Sequence, residues 1–233
     1  MIAVGSASAN CSNANLNGTY GFLVAGSAYY NNWLVPGDAM GQVTFDGNGN
    51  LLAGSVTQTF GGTIGSVPFF SGTYSIAKDC TGTMLAGPYT YDFVLDKDSK
   101  GAQVIYATPG VVYPGYAVAQ EPAICGLPGT KRTFAANLSG TIVSVGAEAI
   151  VGRLILDGQG NVKGSGTFSV NGTISSGSIS GTYTENADCT GTAQITPEGL
   201  GTMNLNTVVV DGGRELLLIE TDSGTVVSGT LQQ

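Results

Sequence analysis

Ser71–Thr83 reads SGTYSIAKDCTGT and Ser180–Thr192 reads SGTYTENADCTGT, identical at nine of thirteen positions. Two more landmarks keep the same order. FDGNGN at Phe45–Asn50 returns as LDGQGN at Leu156–Asn161, and the stretch from Ile105 to Gly115 returns from Ile219 to Gly229. Three landmarks repeated in order mean that one unit occurs twice, so the chain must fold as two similar bodies of roughly 105 residues each. The boundaries follow from the repeats: an N-terminal arm at 1–10, a first unit at 11–120, a linker at 121–133 and a second unit at 134–233. The linker is marked by Pro122, Pro128 and Gly129.

Within each unit the pattern is strand, turn, strand. Short apolar–polar runs are separated by Asp-Gly, Asn-Gly and Pro-Gly signals of hairpin turns. The second strand is expected at Ala39–Phe45 and the fourth at Val67–Ala77. No window carries a sustained 3.6-residue apolar period, so almost no helix is expected. About eight short antiparallel strands in succession hide both sheet edges only by closing on themselves. The expected fold is all-β, two tandem small antiparallel β-barrels of about eight strands each.

Cys80 and Cys189 hold the same place in the two repeats, while Cys11 lies 69 residues before the first and Cys125 64 residues before the second. The matching separations favour Cys11–Cys80 and Cys125–Cys189, each tying a unit's entry to its middle, with two other pairings open. Closing loops of this length stabilises by roughly 4 kcal/mol each through chain entropy. Disulfides imply an oxidising compartment, hence a secreted or extracellular protein, with a bacterial cell surface as one setting.

Charged residues make up 10% of the chain, net −8, and the only adjacent basic pair is Lys131-Arg132. Nucleic acid needs clustered cations and is excluded as a partner. No apolar run approaches the ~20 residues of a membrane-spanning helix. A surface built from Ser, Thr, Asn and Gly is cheap to desolvate, which favours packing against another protein. Met1–Asn10 reads MIAVGSASAN, whose small residues resemble the cleavage end of an export signal. Ile2, Ala3 and Val4 are also suited to an extended arm that adds a strand to a neighbouring molecule.

FDGNGN, then GTY…DCTGT, then the closing GTVVSGT together resemble an uncharacterised group of secreted bacterial proteins. These look like small closed barrels of the calycin or allene-oxide-cyclase type. The resemblance covers most of the second repeat and, with longer loops, most of the first. It implies the barrel fold and brings no catalytic residue with it.

The chain has no histidine, and its cysteines are expected to pair, so the usual nucleophile–base pairs are missing and no catalytic residue is nominated. A zinc site would need four thiolates from distant positions. Asp46-Gly-Asn48-Gly-Asn50 mimics the first half of a calcium loop, but its closing glutamate is absent and Gln159 replaces the middle ligand in the second copy. It reads as a hairpin turn, and neither metal nor cofactor is expected.

Sixteen of the nineteen aromatic residues precede residue 120. Tyr89, Tyr91 and Phe93 alternate with polar or smaller residues and share one strand face. Aligned by the repeat, Tyr20 becomes Ile142, Phe22 becomes Ser144, Tyr89 becomes Asn204 and Tyr91 becomes Asn206. With Tyr74, these residues are the candidate ligand contacts. The leading expectation is a non-enzymatic structural or adhesive protein that assembles with copies of itself into a filament or surface layer. The alternatives are a calycin-like carrier of a small apolar ligand in the first barrel, and an isomerase or cyclase.

Overall fold

The computed structural model describes residues 10–126 and 129–233. The arm expected at Ile2, Ala3 and Val4 lies outside them. The first unit contains β1 (Asn17–Tyr30), β2 (Trp33–Asp46), β3 (Asn50–Phe60), β4 (Thr63–Ile76), β5 (Thr81–Ala86), β6 (Tyr89–Leu95), β7 (Gly101–Tyr106), β8 (Val111–Val112) and β9 (Pro114–Ala119). Each strand pairs antiparallel with the next through β7, which pairs with β9. β1 then pairs with both β2 and β9 and closes an eight-stranded barrel, while two-residue β8 lies beside β1.

The second unit contains β10 (Arg132–Ile142), β11 (Gly146–Leu156), β12 (Asn161–Val170), β13 (Thr173–Glu185), β14 (Thr190–Pro197), β15 (Met203–Val210), β16 (Glu215–Glu220) and β17 (Thr225–Gln232). β17 pairs with β10 and closes the second barrel. The only helical pieces among the described residues are three 3-10 turns of three residues each, Asn13–Asn15, Pro122–Ile124 and Asp211–Gly213. Among the described residues no helix is long and apolar enough to cross a membrane.

The repeated motifs are turns. In the first copy Asp46 Oδ1 accepts the Asn48 and Asn50 amides at 2.7 and 2.9 Å, and Asn50 Nδ2 donates to Asp46 Oδ2 at 2.6 Å. Asp157, Gln159 and Asn161 repeat the arrangement. These hydrogen bonds hold the Asp46 and Asp157 carboxyls below the usual carboxylate range. In DCTGT the Thr81 amide and hydroxyl donate to Asp79, and those of Thr190 donate to Asp188. Cys80 and Cys189 take the left-handed conformation there, φ 69° and 67°. The disulfides are Cys11–Cys80 and Cys125–Cys189, so each barrel's entry segment is tied to its DCTGT turn.

Two strands of the first unit are longer than the sequence pattern suggests. β2 starts at Trp33 rather than Ala39, running through Pro36, and β4 starts at Thr63 rather than Val67. Pro36 is tolerated because its backbone faces the β3 side, where the ladder ends at Gly37↔Phe60 and only the turn amide of Gly61 reaches it, donating to Pro36 O at 2.9 Å, so no strand partner needs the missing N–H. Beyond that level Tyr29↔Leu34 and Tyr30↔Trp33 pair within the hairpin, the Tyr29 amide also donates to Gly110 O at 2.8 Å and the Tyr30 ring stands edge-on to Phe60 at 6.2 Å, so only the tip of the β1–β2 hairpin rises above its neighbours.

The barrels pack side by side. Leu23 and Met40 of the first meet Val208, Val210, Leu217 and Ile219 of the second in a buried cluster. Gly21 makes the approach possible, since a Cβ there would lie 2.5 Å from Val210 and 2.7 Å from Val208. Polar links flank the cluster: Thr59 Oγ1 donates to Thr225 O at 2.8 Å, Gln120 Nε2 to Val209 O at 2.9 Å and Tyr116 OH to Glu215 at 2.9 Å. The Gly224 amide also donates to Gly62 O at 2.8 Å. Because both glycines sit in turns at the same end of their barrels, the two barrels open in the same direction.

Candidate functional site

Alternation along the strands sends one residue in two into each barrel. In the second barrel those residues are branched and close-packed: Phe134, Leu138, Ile150, Leu154, Phe168 and Leu218 are all buried. The gap left among them is about 30 Å³. The first barrel is built differently. Its lower half is filled by Tyr20, Phe45, Tyr74 and Phe93 in edge-to-face contact or close to it. Above them lies an apolar pit of about 60 Å³ bordered by Phe22, Val24, Phe70, Met84, Ala86 and Tyr91.

The pit's upper wall belongs also to a cavity of about 670 Å³ at the open end, since Phe22, Val24, Phe70, Ala86 and Tyr91 border both. The room comes from small inward residues, Ala28, Ala39 and Ala86 among them, at the level where β1–β4 stand tallest. A chain of phenols forms one side. Tyr106 is the hub, with ring centroids 5.4 Å from Tyr89, 4.9 Å from Tyr91 and 6.0 Å from Tyr113. Tyr113 fits because Gly26 and Gly37 face it without side chains, and a Cβ at either would run into it.

Burial, then the neighbouring phenols, push the Tyr91 hydroxyl well above its ordinary range, and the same burial takes Tyr106 up to about 12. Both stay protonated and can only donate to, or accept from, a bound molecule as neutral phenols. Asp38 borders the cavity where the two barrels meet. Burial raises its carboxyl to about 6, against the opposing hydrogen bonds of Ser228 and the Gly26 amide. Its Oδ2 is buried without a partner, and Tyr113 is raised by burial first and then by the Asp38 charge.

The six candidate contacts separate into three groups. Phe22 and Tyr91 line both pit and cavity, and Tyr89 stands at the rim, half-exposed. Tyr20 and Phe93 border the pit from below. Tyr74 borders neither space: its hydroxyl lies 2.9 Å from the Asn13 and Leu16 carbonyls and fastens the entry segment across the far end. Tyr20 is fastened similarly, donating to Ser99 O at 2.9 Å. Sequence reasoning passed over Tyr106 and Tyr113. The repeat held a signal for them, because the matching positions are Glu220 and Val227.

No protein-family profile matches the chain, and no curated protein does. Among solved structures it is similar to kievitone hydratase from Nectria haematococca, at 7% identity and a TM-score of 0.28 over 98% of this chain and 94% of that one. So slight a likeness bears on neither fold nor activity.

The same end of the second barrel has opposite chemistry. Glu148 and Glu220 are both buried there, and Glu148 falls where the first repeat has Gly37. Burial first, then the charges of Glu148 and Asp222, raise Glu220 to about 8. Among the described residues no group of three or more His, Cys, Asp or Glu is arranged to hold a metal ion.

Proposed function

We propose that the first barrel is a receptor for a small, uncharged, ring-bearing molecule, in a protein that works outside the cell. One observation carries the reading: the first barrel keeps a cavity of about 670 Å³ where the second, built from the same repeat, is filled. Ligand sites of this kind typically enclose roughly 300–1,000 Å³ and are mostly apolar with a few polar groups. Aromatic walls favour a ring through edge-to-face and offset contacts. The tyrosine hydroxyls and Gln58 would orient a single polar group on it. The two disulfides fit an oxidising extracellular setting. Membership of the secreted bacterial barrel group that the motifs resemble is part of the same proposal.

Self-assembly loses one of its supports, because much low-charge surface on β1, β2 and β15–β17 is already spent between the two barrels. Its proposed arm lies outside the described residues. A second reading, acid–base chemistry on the bound molecule, is favoured by Asp38 beside Tyr113, a carboxyl near 6 facing a neutral phenol.

The test is titration with N-phenyl-1-naphthylamine, an uncharged fluorescent probe. The native protein should bind one equivalent, and Ala86→Trp, which fills the wall shared by pit and cavity, should abolish binding with the melting temperature showing that the variant folds. Binding that survives Ala86→Trp unchanged contradicts the site. If Asp38→Asn binds the probe normally yet changes the fate of a true ligand, the chemical reading gains.

A further inference from the structure

We propose that the open-end face shared by the two barrels docks onto an uncharged lipid surface, with the Tyr29–Leu34 hairpin tip as its anchor. The inference goes beyond the cavity reading and stands without it, since it rests on the distribution of charge and of exposed apolar side chains.

The first barrel is electrically lopsided. Its residues 11–120 contain nine charged side chains, and seven of them lie in the three turns at the far end: Asp46, then Lys78 and Asp79, then Asp96, Lys97, Asp98 and Lys100. The turns at the open end, 31–32, 61–62, 87–88 and 107–113, contain none. That end is also where the apolar side chains are exposed. Trp33 is 76% exposed, and Tyr29, Tyr30 and Leu34 are more than half exposed beside it. The tip stands two or three residue pairs above the β3 side of the barrel and one pair above Gly110, so it projects by roughly 3–10 Å at the usual strand rise, and interfacial elements bury about 5–10 Å into the headgroup region.

The residue types decide the occupant. Trp and Tyr, apolar rings with one polar atom, concentrate at the lipid–water boundary, and the two turn residues between them are Asn31 and Asn32, polar and uncharged. The second barrel continues the face with exposed Val143, Val145 and Ile174. A projecting tip with an open cavity beside it is a poor match for a flat protein face, whereas a fluid surface closes around it. Among the described residues, the charges on the second barrel's side are all acidic. Glu198 is held by the Ser178 amide and hydroxyl at 3.0 and 2.9 Å, and Asp222 by Asn204 at 2.6 and 2.7 Å. With no cation at this end among the described residues, the matching surface is zwitterionic, not anionic.

Trp33 is the chain's one tryptophan, so the anchor carries its own probe. With phosphatidylcholine vesicles, Trp33 emission should shift to the blue, acrylamide quenching should fall and the protein should sediment with the lipid. Added salt should leave this unchanged, and phosphatidylglycerol should weaken it. Tyr29→Ser/Tyr30→Ser/Leu34→Ser keeps the probe and should lower partitioning roughly ten- to hundredfold, and Trp33→Ser should do likewise by sedimentation. Emission unchanged at millimolar lipid overturns the proposal. So does a blue shift that follows protein concentration without lipid, which makes the face a contact between copies, or one that appears only with a soluble polysaccharide. The native-protein titration decides even if a variant misfolds.

Discussion

Glu220 is where a single residue is expected to govern stability. It is buried inside the second barrel with Glu148, its Oε2 has no partner, and its carboxyl is raised to about 8 by burial and by the Glu148 and Asp222 charges. Unfolded, it would titrate near 4.5. The folded state therefore holds a proton that the unfolded state releases, and stability falls as pH rises between about 4.5 and 8. Glu220→Gln keeps the shape and removes the titration. Thermal melts should show the native protein losing stability from pH 5 to pH 9 and the variant much flatter, more stable than native at pH 9. Parallel profiles would mean that Glu220 titrates normally. In the sequence this glutamate is one more acid in an acidic chain. Its burial follows only from the register that turns even-numbered residues of β16 inward.

At the scale of elements, the interface between barrels depends on strand faces. Gly21→Val puts a branched side chain against Val208 and Val210 and should cost about 1–3 kcal/mol by overpacking. The same substitution at Gly65, where a Cβ meets nothing closer than 3.6 Å, is the control and should be near neutral. Equal losses by denaturant melts would remove the special role given to Gly21. The strands, their turns and the disulfide pairing were legible in the sequence because alternation and repeated motifs are local signals. The packing of one barrel on the other was less so. Its trace is Glu215–Glu220, ELLLIE, where Leu217 and Ile219 face outward between the inward Leu216 and Leu218. A strand apolar on both faces is buried on both, but it does not name what covers it. The early start of β2 at Trp33 was not legible either, because Pro36 reads as a strand breaker until its edge position is known.

For the whole molecule, duplication gave two barrels one plan and divergence gave them different interiors. The aromatic excess of the first half was visible in the sequence, yet whether large rings fill a barrel or line a hollow depends on the volumes meeting from eight strands. Here Ala28, Ala39 and Ala86, small residues from distant strands, leave the upper half open. The pit beneath that hollow, which shares a wall with it, is bordered by one methionine, Met84. Met203 sits in the second barrel's core and Met40 between the barrels. The most direct test is to label the methionine methyl groups with carbon-13 and titrate N-phenyl-1-naphthylamine by NMR. Ligand binding in the first barrel predicts that the Met84 signal shifts and saturates at one equivalent while Met203 and Met40 stay in place. A Met84 signal that never moves, or that moves only together with Met203, would contradict it.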